Sequence, residues 1–203
     1  MSLETAVALV AFAFAMSVSP GPGNFLLLAS GGNFGLRRTL PLLFGISFGF
    51  LAMVFGVGMG LGQLLKANPG IGLVLRLACT AFIVWMAWKV AGSRNLGIGS
   101  GRSMERPFSF LQAAFLQLLN PKAWGVALTV TVTFLAPDAS TSELLLLIGI
   151  FALVNLPAIG LWAVSGHWLR RSLSQGNRLA VFNMAMACLL VLSTLPMFLM
   201  AAE

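Results

Sequence analysis

Six apolar stretches, parted by short polar segments, make up nearly the whole chain: residues 3–36, 39–65, 71–92, 108–136, 143–167 and 178–200. A helix needs about 20 apolar residues to cross the hydrocarbon core of a bilayer, so each stretch predicts a membrane span. Lipid offers no partner to backbone polar groups, which leaves only helices or a closed barrel. A barrel would read as alternating segments of about 10 residues, and the sequence has none. A soluble fold fails on composition, because hydrophobic residues make up 59% and charged residues 8%, against roughly a quarter charged in soluble proteins. That excludes soluble enzymes, nucleic-acid-binding modules and disordered tails. The reading is an all-α integral membrane protein forming one domain over residues 1–203. The first stretch lacks a basic leader and a small-residue cleavage site, so it is read as a retained span.

The formal charge of +7 comes from twelve Lys and Arg against five acids, and their placement carries information. Arg37, Arg38, Lys89, Arg94, Arg102, Arg106, Arg170, Arg171 and Arg178 fall in the first, third and fifth loops, with Glu105 the only acid there. Glu4, Asp138, Glu143 and Glu203 fall on the other side, with Lys66 and Arg76 nearby. Basic loops stay in the cytoplasm, so both termini are expected outside. The glycine-rich segment 92–102 reads as a linker between halves 1–104 and 105–203. Each half holds three spans, an odd number, so a duplicated half must enter the membrane from the opposite face. Any repeat is therefore inverted. Ser19-Pro20 in the first span and Asn120-Pro121 in the fourth occupy matching positions, and interrupted helices in matching positions point to a secondary transporter and its binding site.

Within the first span, Ser19-Pro20-Gly21-Pro22-Gly23-Asn24 allows no continuous helix, since two prolines remove backbone donors and two glycines relax the chain. Freed backbone groups cost several kcal/mol in lipid, so this break must face protein or a wet cavity. Asn120-Pro121 reads as an N-cap followed by proline at the first helical position. Such a start suits a carboxylate, and Lys122 beside it is a candidate partner for an anionic group. The alternative is a lysine that snorkels to the headgroups. Arg76 and the Asn155/Pro157 notch are further possible binding residues; outward snorkeling and a helix–helix hydrogen bond, respectively, account for them as well. His167 reads as interfacial, and Thr129 and Thr133 as back-bonded. Glycine pairs at four-residue spacing (Gly31/Gly35, Gly45/Gly49, Gly56/Gly60 and Gly58/Gly62) predict close helix packing. No Asp or Glu lies inside a span, and with one His no multi-histidine metal centre can form. No phosphate-binding loop motif occurs, and no cofactor is expected.

Pro20-Gly21-Pro22 early in the first span, Asn120-Pro121-Lys122 in the fourth and a length near 200 resemble the LysE/RhtB family of amino-acid exporters. Gly45-Ile46-Ser47-Phe48-Gly49-Phe50, Ile83-Val84-Trp85-Met86-Ala87-Trp88-Lys89 and Gly166-His167 add to the resemblance, which is strongest to the branch exporting cysteine and O-acetylserine. It implies a six-helix inverted-repeat bundle exporting amino acids across a bacterial inner membrane. Members resembling lysine or arginine exporters carry an acid in the second span, where this chain has none. The expected partners are a small neutral amino acid and the lipid bilayer, with a homo-oligomer left open. The alternatives are an exporter of basic amino acids and a thiol–disulfide relay using Cys79 and Cys188.

Overall fold

A computed structural model describes residues 1–92, 107–136, 138–173 and 177–192. Of these, 89% are helical and none is in a strand. The elements are α1 (Leu3–Val18), α2 (Pro22–Phe34), α3 (Leu36–Gly56), a π-helical turn (Val57–Leu61), α4 (Gly62–Ala67), α5 (Pro69–Ala91), α6 (Phe110–Leu118), α7 (Pro121–Phe134), α8 (Thr141–Leu173) and α9 (Arg178–Leu192). The chain is a helical membrane protein.

Local chemistry sets the boundaries. The Ser2 hydroxyl accepts the Thr5 N–H at 3.1 Å and starts α1. Pro20 and Pro22 end it, and Pro22 then serves as the first residue of α2. A capping box of Ser109 and Gln112 opens α6, and Ser140 with Glu143 makes the same reciprocal pair ahead of α8. A single residue, Gly35 with φ 81°, joins α2 to α3, a conformation that glycine tolerates best. The His167 Nδ1 from α8 accepts the free Leu36 N–H there at 3.4 Å.

Several sequence expectations change here. Arg37 and Arg38 lie in the first turn of α3, and Arg170 and Arg171 in the last turn of α8, rather than in loops. Pro157 interrupts nothing, because α8 runs through it for 33 residues. Three of the described helices are long and apolar enough to cross a bilayer, in Leu36–Leu64, Leu73–Ala91 and Thr141–Leu173, and α1 with α2 forms a fourth candidate bent by 56°. The fourth stretch expected from the sequence is two short helices of 9 and 14 residues, since Pro121 denies a donor to the helix before it. The sixth is described as far as Leu192, as a helix of 15 residues. The linker segment 93–106 and the side chain of Arg76 lie outside the described residues.

Glycine closeness fixes two crossings. A Cβ on Gly31 would collide with the Ala163 carbonyl, and one on Gly166 with the Leu28 carbonyl, so α2 and α8 touch backbone to backbone. Gly45 and Gly49 hold α3 against Phe110, Ala113 and Ala114 of α6 in the same way. Close approach of this kind is what small residues permit in membranes. Gly60 belongs to a different class, having φ 108° and open space around it. Apolar side chains divide into two clusters. One is built around Leu27, Leu42, Ile83, Met86 and Leu190, the other around Leu9, Val54, Val130, Leu147 and Phe151. Large apolar residues such as Phe14, Phe48, Phe115 and Leu153 face outward, as lipid contact requires.

Candidate functional site

The two clusters meet at a cavity of about 60 Å³ lined by both apolar and polar side chains. The start of α2 contributes Gly21, Gly23 and Asn24, and the start of α7 contributes Asn120, Lys122 and Ala123. Both helix breaks read from the sequence therefore reach one place. Each of these helices begins with a proline, Pro22 or Pro121, whose missing N–H costs nothing at a first position. Neither start has a side-chain cap, although the Ala123 N–H bonds to the Asn120 carbonyl, and two positive dipole ends border the cavity. Met16, Ile46, Phe50, Val126, Phe151 and Ile159 form its apolar wall. Lys122 is the only charged residue among those that line it.

Lys122 does not snorkel. Its Nζ reaches across to the other broken helix and donates to the Ser19 carbonyl at 2.7 Å and the Pro20 carbonyl at 3.5 Å. The ammonium thus sits on acceptors that α1 released when it ended. Other donors take the neighbouring carbonyls. Asn24 Nδ2 donates to the Ser17 and Ser19 carbonyls at 2.7 and 2.9 Å, and Trp162 Nε1 to the Val18 carbonyl at 3.1 Å. Gly21 explains how Lys122 gets there, since a Cβ on it would stand 2.6 Å from Lys122 Cδ.

Asn120 departs from the sequence expectation. It holds the N-cap position of α7, yet its side chain caps nothing. Its Nδ2 donates to Gln117 Oε1 at 3.0 Å, while its Oδ1 is buried without a hydrogen-bond partner. Asn155 does act as a helix–helix tie, accepting from Ser47 Oγ and donating to Ser17 Oγ, both at 2.9 Å. It also lines the cavity. Of the remaining expected residues, Ser19 turns its hydroxyl back to the Met16 carbonyl at 2.9 Å, and Pro20 is exposed. Ser19, Pro20, Pro22 and Pro121 shape the breaks and are not among the residues lining the cavity. Ser17 and Gln117 are lining residues that the sequence did not single out. Thr131, rather than Thr129 or Thr133, is the buried threonine of α7, and it back-bonds to the Ala127 carbonyl.

Cys79 and Cys188 are both free; Cys79 is buried and Cys188 is exposed. Neither lines this cavity. A second cavity of about 340 Å³ lies against the π-helical turn and the end of α7, bordered by Gly58, Gly60, Gln63, Thr131 and Ser140. It contains none of the expected site residues.

Two helix breaks opening on one cavity inside an apolar bundle are the arrangement that points to a membrane transporter. The LysE type translocator family matches the chain over residues 14–200, and the chain belongs to that family. The cysteine/O-acetylserine efflux proteins of Escherichia coli strain K12, Shigella sonnei strain Ss046 and Shigella flexneri are each 32% identical to it over 189 residues, covering 88% of this chain and 90% of theirs. No solved structure matches it significantly.

Proposed function

We propose that the protein is a secondary exporter of small neutral amino acids, of the cysteine and O-acetylserine kind, in a bacterial inner membrane. The observation that carries this reading is the cavity at which both helix breaks and Lys122 converge with no acid among the lining residues. The relatives named for cysteine and O-acetylserine efflux support the substrate class. On this reading the bundle is an inverted repeat of halves 1–104 and 105–203, with α1–α2 answering to α6–α7 and both termini outside. The substrate is held by Gly21, Gly23, Asn24, Asn120 and Lys122, with Asn155 at the edge. Pro20, Pro22, Pro121 and the Ser19 carbonyl keep the breaks open.

An ammonium has three N–H donors, and only two contacts of Lys122 are accounted for. The third can meet a substrate carboxylate, helped by the dipole ends of α2 and α7. A second positive charge on the substrate would face Lys122 without an anion between them. At an effective dielectric of about 20, two like charges about 6 Å apart repel by roughly 3 kcal/mol, or about a hundredfold in affinity.

Counterflow of labelled cysteine in proteoliposomes tests the reading. Cysteine and O-acetylserine should exchange, arginine should not compete, and Lys122→Met should cut exchange at least tenfold with the protein still folded. Efficient arginine exchange, indifferent to Lys122→Met, would sink the proposal.

A further inference from the structure

We infer that Asn120 Oδ1 is the seat of the substrate's α-ammonium, so that the site reads the zwitterion itself: amine on Asn120, carboxylate on Lys122 and the helix starts. This rests on the cavity being an amino-acid site, as proposed above. The backbone carbonyls freed by the first break are the obvious acceptors for an amine, as in other broken-helix transporters. Here they are taken: Ser19 by Lys122 and Asn24, Ser17 by Asn24, Val18 by Trp162 and Pro20 by Lys122. Asn155 Oδ1 already accepts from Ser47, and Gln117 Oε1 from Asn120 itself.

Among the described residues, one buried side-chain oxygen or nitrogen has no partner, and it is Asn120 Oδ1. Asn120 is only 8% exposed and lines the cavity. A buried acceptor without a donor costs about 1–3 kcal/mol, a debt that an incoming N–H cancels. Its second amide atom is fixed by Gln117 one turn earlier, which holds the side chain off the helix start it would otherwise cap. The Ala123 and Trp124 N–H groups bond to the Asn120 carbonyl, and with no side-chain cap in place the Lys122 N–H of that first turn is left for an anion. One residue thus sets both ends of the recognition. The substrate's side chain is then left to the apolar wall of Ile46, Phe50, Val126 and Phe151, a surface that favours small uncharged groups.

The experiment measures how strongly three thiols displace labelled cysteine from the purified full-length protein under reducing conditions. They are cysteine, 3-mercaptopropionate (no amine) and cysteamine (no carboxylate). The wild type should prefer cysteine over 3-mercaptopropionate by about ten- to a hundredfold, the range of one charge-assisted hydrogen bond. In Asn120→Leu that ratio should fall below about threefold, while Asn120→Asp, which keeps an acceptor, should hold or raise it. The ratio is internal to each preparation, so partial loss of folded protein does not move it. A ratio unchanged in Asn120→Leu, or lost in Asn120→Asp, overturns the inference. So does a collapse of the preference over cysteamine in place of that over 3-mercaptopropionate. A wild type that binds cysteine but ignores Asn120 refutes this assignment alone; one that binds no amino acid refutes the reading of the cavity as well.

Discussion

Adding one methyl group at Gly21 should disable transport, whereas the same change two residues later should not. Gly21 has φ 178° and ψ 172°, an extended backbone that alanine adopts without strain. The demand for glycine there comes from Lys122, whose Cδ would lie 2.6 Å from the new Cβ. Carbon atoms settle at about 3.5–4.0 Å, so the lysine stem must retreat by roughly 1 Å. Its Nζ–Ser19 contact is 2.7 Å long, and a retreat of that size takes it past the range of about 3.2 Å for a hydrogen bond. A charge-assisted bond is worth about 1.5–3 kcal/mol, which converts to about a ten- to hundredfold loss of exchange rate if the bond organises the site. At Gly23 the nearest atom to a new Cβ is Ile46 Cγ2 at 3.6 Å, an ordinary contact. Alanine gains up to about 1 kcal/mol of helix propensity over glycine. Gly21→Ala and Gly23→Ala are compared by cysteine counterflow, with thermal unfolding in detergent as the control. Normal exchange by Gly21→Ala, or equal losses in both, refutes the role given to the lysine's path.

Gly166→Ala should be a stability defect rather than a transport defect, since its Cβ meets the Leu28 carbonyl and overpacking costs about 1–3 kcal/mol; the melting temperature and the yield of monodisperse protein report it. Asn33 and Asn183 exchange amide hydrogen bonds of 3.0 and 3.3 Å between α2 and α9. Asn183→Leu, which removes both of these bonds, should therefore lower the melting temperature; a thermal melt of the variant checks it. A cysteine introduced at Ala139 should react with an impermeant maleimide from outside intact cells, and one at Ser100 should not. Outside labelling of Ser100 reverses the orientation.

Both breaks were legible because proline and glycine act through the backbone, independently of what surrounds them. The structure ends α1 at Val18 and starts α2 at Pro22, and it starts α7 at Pro121. The chemistry between the breaks was not legible. Ser19 and Lys122 stand 103 residues apart in sequence, and Ser17 and Asn155 stand 138 apart; a lone serine in an apolar run carries no period that would announce its partner. Asn120 misled for the opposite reason. Asn-Pro is a local signature of a capped helix start, and here Gln117 overrides it from the preceding turn. Hydropathy registers apolar length alone, so it was Pro121, not hydropathy, that marked the fourth stretch as two helices. The C-terminal end of α3 gave no warning of a π-helical turn, since Gly56, Gly58, Gly60 and Gly62 read equally well as a packing stripe.

The contact between Lys122 and the Ser19 carbonyl also bears on how the protein is made. Ribosomes add about 5–20 residues each second, so 103 residues of separation amount to roughly 5–20 seconds. During that interval the first broken helix is already in the membrane with its strongest donor still unsynthesised. When Lys122 arrives, its charge is costly in hydrocarbon unless the acceptors of the first half are in place to receive it. On the two-half reading proposed above, the later spans would meet a docking partner already in the bilayer. Expressed alone, residues 105–203 would bring Lys122 into lipid without the Ser19 carbonyl to receive it.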